Sequence, residues 1–164
     1  MKKFKLLINE VFDSNPLELK PIVKFKTIRY VGVTSKNEKF SVEFELKLLD
    51  NKEYVTLIIS FFILGMASRV SDEKRTLKDS ETNVIFASVI SAMKDLRQNH
   101  REFYDKADYV NFTGSIYGPM IGRRKLYPRL AKNIHKIWPE FNSEPEVWNS
   151  QYGISVNIKR SSSE

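Results

Sequence analysis

Two consecutive segments in the first half of the chain restrict the fold more than any other feature. Residues 40–48 alternate between apolar and polar side chains, with the apolar ones at Phe40, Val42, Phe44, Leu46 and Leu48. This alternation predicts a strand with one face in a core and the other in water. Residues 54–64, YVTLIISFFIL, are apolar on both faces, which predicts a strand covered on both sides. Because only the short turn DNKE separates the two segments, we expect an antiparallel pair.

The other patterns extend this pair into a sheet with helices. Residues 3–12 and 21–33 are further strand candidates, and the short turns between the four strands predict an antiparallel meander. Residues 81–104 are predicted to form an amphipathic helix, because apolar side chains recur there at helical spacing: Ile85, Val89, Ala92, Met93, Leu96 and Phe103. A second amphipathic helix, with Pro128 near its start, is indicated by Leu126, Leu130, Ile134 and Ile137. Residues 108–114 and 152–160 are strands on either side of that helix.

We therefore expect one α+β domain over residues 1–160 and a frayed tail at residues 161–164. Its antiparallel meander sheet is packed by the two amphipathic helices, in the order β-β-β-β-α-β-α-β. At 164 residues the chain can bury about two-thirds of the surface that its unfolded form exposes. The residues expected to share the core are Phe40, Phe44, Leu57, Ile59, Ile85, Val89, Leu96, Leu126, Leu130 and Ile134.

The positive charge of the chain is concentrated in one segment. The formal net charge is +7, from 27 basic and 20 acidic residues, and residues 109–139 contain no acidic residue. Residues 115–136, here named the basic segment, contain the cations Arg123, Arg124, Lys125, Arg129, Lys132 and Lys136. A surface of this kind attracts phosphate backbones or acidic protein faces, and its charge does not select between them.

Spacing within the basic segment places four of its cations on one helical face, namely Lys125, Arg129, Lys132 and Lys136. A charged face opposite an apolar one is also the pattern of an ordinary solvated helix. The lack of acidic residues favours a binding face, because like charges one turn apart repel by ~0.2–0.5 kcal/mol per pair. Tyr117, in the glycine-rich stretch GSIYGPMIG, is the best aromatic candidate for contact with a partner, although this stretch also suits an ordinary strand-to-helix connection.

The sequence lacks the residues and motifs that characterise most enzyme classes. Without cysteine the chain can form no disulfide, thiolate metal site or cysteine nucleophile. The histidines, His100 and His135, are far apart and outside any HExxH spacing, and GxSxG, Walker and GxGxxG motifs are missing. We therefore expect no metal and no cofactor. The opening MKKFKLLINEVF and the apolar run VTLIISFFILGM are too short for a secretory signal and a membrane span, so we expect a cytoplasmic protein without a membrane partner.

Three stretches within residues 83–137 resemble an uncharacterised family of small tailed-phage proteins. They are NVIFASVISAMKDLRQ, ADYVNFTGS and GRRKLYPRLAKNI, which are similar to that family's helix opening, Phe-Ser/Thr strand and Arg-x-x-Leu-Tyr helix. The chain departs from the family pattern at Gly122, where a serine is usual, and at Pro128 after the tyrosine. The resemblance implies a phage origin and an accessory role, without an assigned activity.

The predicted order of elements also resembles the core of the GNAT-type acyltransferases. That resemblance implies acetyl-CoA as cofactor and Tyr127, in the second helix, as general acid toward the departing thiolate. Such chemistry needs a loop whose backbone N–H groups cradle the pyrophosphate at the start of the first helix, and that loop usually contains glycine. No glycine occurs between Gly65 and Gly114. An acyltransferase is therefore the alternative prediction and not the favoured one.

The favoured prediction is a non-enzymatic phage accessory protein that binds an anionic partner through the basic segment. The partner is nucleic acid or an acidic protein of the host, the phage or the virion. We expect the protein in the host cytoplasm or associated with the virion. The candidate contact residues are Tyr117, Arg123, Arg124, Lys125, Arg129, Lys132 and Lys136.

Overall fold

Seven strands and several helical segments make an α+β fold in the computed structural model, which describes residues 15–48, 53–64, 79–115, 127, 130–151 and 153–162. The strands are β1 (Lys20–Val23), β2 (Thr27–Val33), β3 (Lys39–Leu48), β4 (Val55–Leu64), β5 (Tyr109–Ser115), β6 (Glu146–Ser150) and β7 (Gly153–Lys159). They form one sheet in the order β1-β2-β3-β4-β5-β7-β6.

Among the described residues, the helical segments lie in two parts of the chain. Helix α1 (Asp79–Asn99) and the short helix α2 (Arg101–Asp105) come between β4 and β5, and a 3-10 turn, Ile134–Lys136, comes between β5 and β6. Tyr127 and residues 130–133 are also helical. None of the described helices is long and apolar enough to cross a membrane.

The sheet is an antiparallel meander only in its first half. Strands β1 to β4 pair antiparallel in chain order, and the antiparallel pairing expected of the segments at 21–33, 40–48 and 54–64 is present in β2, β3 and β4. Strand β5 then pairs parallel to β4, and β7 lies between β5 and β6, antiparallel to both. A parallel neighbour requires a crossover connection, and α1 and α2 lie in the chain between β4 and β5. The sheet is therefore mixed, which corrects the expectation of a wholly antiparallel sheet.

Three predicted elements have different bounds in the structure. The strand expected at 21–33 is two strands, because a tight turn at Phe25 and Lys26 separates β1 from β2. The helix expected at 81–104 ends at Asn99, since His100 has the non-helical angles φ −126° and ψ 46° and precedes α2. Strand β6 has no counterpart in the predicted order. The strand expected at 3–12 lies outside the described residues.

One buried cluster joins the helices to one face of the sheet. Of the ten residues expected in the core, nine belong to this cluster, and Leu126 lies outside the described residues. Aromatic contacts connect the layers: Phe61 of β4 packs edge-on against Phe86 of α1, and Phe44 of β3 packs against Trp138. The second half of the chain thus packs on the same sheet face as α1, and this arrangement positions the end of the basic segment.

Candidate functional site

The basic segment is described at Ser115, at Tyr127 and at residues 130–136. Its candidate contact residues Tyr117, Arg123, Arg124, Lys125 and Arg129 lie outside the described residues. In the described part, Lys132 and Lys136 are exposed. The neighbouring apolar side chains of Leu130, Ala131 and Ile134 are buried in the core. This part of the segment therefore has the amphipathic arrangement that its spacing predicts.

Tyr127, the residue that the acyltransferase alternative would use, is buried. Its ring centroid lies 6.1 Å from that of Phe61 on β4 and 6.1 Å from that of Phe112 on β5. The side chain thus lies over the junction of these two strands, packed between aromatic rings. A tyrosine in this position contributes to the core whether or not its hydroxyl has a chemical role.

The junction below Tyr127 is the parallel part of the sheet. Among the described residues, β4 and β5 are paired from Thr56↔Tyr109 to Ile59↔Phe112, while β4 continues to Leu64 and β5 to Ser115. Tyr127 therefore packs where the parallel pairing of β4 and β5 comes to its end.

A charged cluster lies immediately after the basic segment, centred on Glu140, the first acidic residue beyond it. Arg97 of α1 donates to both carboxylate oxygens, with its Nη2 2.8 Å from Oε1 and its Nε 3.0 Å from Oε2. Arg101 of α2 donates from Nη2 to Oε1 at 3.0 Å, and the hydroxyl of Tyr104 donates to Oε2 at 2.8 Å. One carboxylate thus connects both helices to the chain that follows the basic segment.

Arg160, at the end of β7, completes this cluster from the other side. Its Nε donates to the Ala107 carbonyl at 2.6 Å and its Nη2 to the Tyr104 carbonyl at 2.7 Å. The guanidinium lies over the rings of Tyr104 and Phe141, 4.8 and 4.6 Å from their centroids. The cluster therefore also holds the chain beyond β7 in place.

The cluster changes the protonation behaviour of its members. The hydrogen bond from Arg97 is the main reason why the pKa of Glu140 falls from 4.5 to about 2, and the hydroxyl of Tyr104 contributes in the same direction. Burial, together with its hydrogen bond to Glu140, raises the pKa of Tyr104 above its ordinary value. Glu140 is thus a permanent anion near neutral pH that is already occupied by two arginines, which fits a structural role better than a catalytic one.

A second cluster of polar side chains lines a cavity of about 230 Å³ between β2 and the C-terminal end of α1. The Tyr30 hydroxyl donates to Asp95 Oδ2 at 2.7 Å, and the Asn99 amide donates to Asp95 Oδ1 at 2.6 Å. Burial and the hydrogen bond to Asp95 raise the pKa of Tyr30. His100 Nε2 is 3.9 Å from Asp95 Oδ2, too far for a hydrogen bond. The hydrogen bond from Tyr30 ties β2 to α1, and the bond from Asn99 lies within α1.

In the part of the chain that the structure describes, no group of three or more histidine, aspartate or glutamate side chains is placed so that it could hold a metal ion. His100 stands beside Asp95, and His135 is exposed on the 3-10 turn. The expectation of no metal site stays a prediction for the whole chain.

The sequence patterns missed the cluster around Glu140. Two signals could have pointed to it: Arg97 and Arg101 are spaced i,i+4, and Glu140 is the first acid after a long basic stretch. The contacts between these arginines and Glu140 span 39 to 43 positions of the chain, a separation that no local sequence pattern detects.

Comparison of the chain with protein-family models, with curated proteins and with solved structures finds no match.

Proposed function

We propose that this chain is a non-enzymatic accessory protein, of the kind found in tailed phages, that binds an anionic partner through the basic segment. The observation that carries the proposal is the amphipathic end of that segment, where Lys132 and Lys136 are exposed beside a buried apolar face. Because the segment contains six cations and no acidic residue, its exposed face attracts a polyanion. The partner is nucleic acid or an acidic protein, and the host cytoplasm or the virion is where the protein would meet it.

Salt dependence tests this proposal and separates the two partners. Each phosphate contact releases counterions, so affinity for a labelled DNA or RNA oligonucleotide should fall steeply with salt. Changing Lys125, Arg129, Lys132 and Lys136 to glutamine together should reduce the slope of log affinity against log salt concentration. The reduction should correspond to the loss of up to about four phosphate contacts. Fluorescence anisotropy over a salt series measures the slope. An acidic protein partner would give a weaker salt dependence.

A matched control uses four exposed lysines outside the basic segment, Lys39, Lys94, Lys106 and Lys159, changed to glutamine. The two fourfold variants have the same net charge, so a purely long-range effect would weaken binding equally in both. We expect a strong loss in the basic-segment variant alone, with thermal unfolding unchanged in both. Equal affinities of the two variants would mean that the basic segment is a solvated face.

The alternative, a GNAT-like acyltransferase, is favoured by one observation: Tyr127 packs against Phe61 of β4 and Phe112 of β5, in the halves of these parallel strands that lead to their carboxyl ends. In this reading acetyl-CoA binds beyond those ends and the Tyr127 hydroxyl donates a proton to the departing thiolate. The absence of glycine between Gly65 and Gly114 argues against a phosphate cradle at the start of α1.

Calorimetric titration with acetyl-CoA distinguishes the alternative from the main proposal. We expect no binding in the micromolar range. Micromolar binding that weakens in Tyr127→Phe, a change that keeps the buried ring and removes only the hydroxyl, would favour the acyltransferase. Phe61→Leu is a useful companion variant, because it alters packing around Tyr127 without touching a hydroxyl.

A further inference from the structure

The hairpin of β1 and β2 exposes an unusual amount of apolar surface at its tip. Phe25 in the turn is 89% exposed, and Val23 and Ile22 just before it are 59% and 45% exposed. Single exposed apolar residues are normal on protein surfaces, but here three of four consecutive positions are apolar and exposed, with Ile22 and Val23 on opposite faces of β1 and Phe25 in the turn beyond them. The apolar surface therefore belongs to the end of the hairpin and not to one face of the sheet, and such a concentration marks an interaction site. We name residues 20–26 the hairpin tip.

Basic residues predominate around the hairpin tip, where the one neighbouring acid on β3 is Glu45, opposite Thr27. The sequence from residue 19 to residue 37 contains Lys20, Lys24, Lys26, Arg29 and Lys36 and no acidic residue. Arg29 is neutralised by Glu43 on β3, with its Nε 2.8 Å from Oε2. Lys20, Lys24 and Lys26 are exposed on either side of the apolar side chains. The hairpin tip therefore combines an apolar centre with a cationic rim.

Backbone hydrogen bonds hold the hairpin tip in place. Lys24 N–H donates to the Thr27 carbonyl at 2.8 Å and Thr27 N–H returns a bond to the Lys24 carbonyl at 3.4 Å, which closes a two-residue turn at Phe25 and Lys26. Leu46 N–H of β3 donates to the Lys26 carbonyl at 3.0 Å. Phe25 is thus presented by a fixed turn, so binding would not have to order it.

The edge of β1 is poorly suited to addition of another strand. Because Lys24 and Thr27 exchange both bonds, the alternation of an antiparallel pair leaves Pro21 and Val23 with their backbone groups facing outward. Pro21 has no N–H to donate, and proline and lysine are the residues that block edge pairing. The side chains of the hairpin tip, and not its backbone, are what a partner would contact.

We propose that the hairpin tip binds the surface of a membrane that contains anionic lipid headgroups. Phe25, Val23 and Ile22 would enter the boundary between headgroups and acyl chains, while Lys20, Lys24 and Lys26 would face the phosphates. Nucleic acid is a poorer fit, because the aliphatic side chains of Ile22 and Val23 offer no stacking surface to bases. This contact is with a membrane surface and does not cross it. It departs from the sequence-based expectation of no membrane partner and does not depend on the proposed function.

Co-sedimentation with phosphatidylcholine vesicles, with and without phosphatidylserine, measures the binding. We expect binding only with phosphatidylserine. Phe25→Ala should lower the partition coefficient about tenfold, the order of magnitude expected when a phenyl ring no longer leaves water. Changing Lys24 and Lys26 to glutamine should lower it roughly 25-fold, since one basic residue near an anionic surface is worth about a factor of five. Both changes are at exposed positions and should leave thermal unfolding unchanged.

Trp148→Ala is the matched control, because Trp148 is a large exposed side chain on β6, at the opposite edge of the sheet from β1. Insertion can be observed directly in the variant Phe25→Trp combined with Trp148→Phe. Its added indole should show a blue-shifted emission with phosphatidylserine vesicles and quenching by brominated lipids. Trp138 is fully buried, so its contribution should stay constant.

Two outcomes would overturn the proposal. One is vesicle binding that Phe25→Ala and Trp148→Ala alter equally, which would mean that the hairpin tip is not the contact. The other is no binding to phosphatidylserine vesicles, and a Phe25-dependent affinity for an oligonucleotide would then assign the hairpin tip to nucleic acid. The fourfold glutamine variant of the basic segment should keep its vesicle binding, so failure of either proposal leaves the other testable.

Discussion

Replacement of Trp138 by alanine is expected to lower the free energy of unfolding by about 3–5 kcal/mol. The indole is fully buried, and its ring centroid lies 6.1 Å from Phe44, 5.2 Å from Tyr104 and 5.9 Å from Phe141. Its Nε1–H donates to the Met93 carbonyl of α1 at 2.8 Å. The change would open a cavity between sheet and helix and remove a buried hydrogen bond. Urea unfolding followed by circular dichroism measures the loss.

Two variants separate the contributions of the indole. Trp138→Phe keeps an aromatic ring and removes the donor, so it should cost about 1–2 kcal/mol for the lost hydrogen bond, plus a smaller packing term. Trp148→Ala removes the half-exposed indole on β6 and should stay within about 0.5 kcal/mol of wild type. If Trp138→Ala were no more harmful than Trp148→Ala, the position assigned to Trp138 at the centre of the core would be wrong.

Replacement of Glu140 by glutamine is expected to lower the free energy of unfolding by about 2–4 kcal/mol. The amide would keep the size of the side chain but would leave Arg97 and Arg101 without their shared carboxylate. Asp105→Asn is the control, since Asp105 also accepts from Arg101, but across an exposed i,i+4 pair. Such exposed pairs contribute about 0.3–0.5 kcal/mol, so this control should be nearly neutral. Equal losses in the two variants would contradict the central position of Glu140.

Acid titration gives a second measurement of the same cluster. Because the pKa of Glu140 is about 2 in the folded protein and 4.5 is its ordinary value, its stabilising contribution is complete above pH 4.5. It is lost as the pH falls toward 2. The wild-type protein should therefore lose stability more steeply than Glu140→Gln between pH 4.5 and 2, and the two should converge at the acid end. Parallel pH profiles would show that Glu140 is not the group responsible.

Local periodicity of apolar residues was sufficient to predict the elements that have one clear buried face. The alternation of Phe40, Val42 and Phe44 predicted β3, and the recurrence of Val89, Met93 and Leu96 predicted α1. These residues are buried because their spacing matches the repeat of the element that contains them. The same periodicity gave the orientation of residues 130–136, where the lysines are exposed and the apolar side chains are buried.

Elements without one clear buried face were either not predicted from the sequence or were merged with a neighbouring element. The turn at Phe25 and Lys26 contains no glycine, proline or asparagine, so the sequence pattern continued through it and joined β1 to β2. Strand β6 is exposed at all five positions and therefore has no buried face to produce a pattern. The break at His100 depends on the backbone angles of one residue, which helical spacing on both sides conceals.

Long-range contacts account for what could not be predicted about the site. The parallel pairing of β4 with β5 is chosen by the crossover and not by the composition of either strand. The cluster around Glu140 joins residues 36 to 43 positions apart through polar atoms, and polar contacts leave no periodic signal. Tyr127 was identified from a resemblance, and its packing between Phe61 and Phe112 could only come from the structure.

The interior place of β7 in the sheet has a consequence for biosynthesis. Residues 153–159 leave the ribosome after every other described strand, yet they pair with both β5 and β6. Until they are made, β5 has an open edge at which Val110 and Phe112 lack the cover of Val156 and Ile158. From the synthesis of β5 until that of β7, a nascent chain would therefore expose an unpaired, apolar strand edge, which is the kind of intermediate that chaperones bind and that aggregates at high expression.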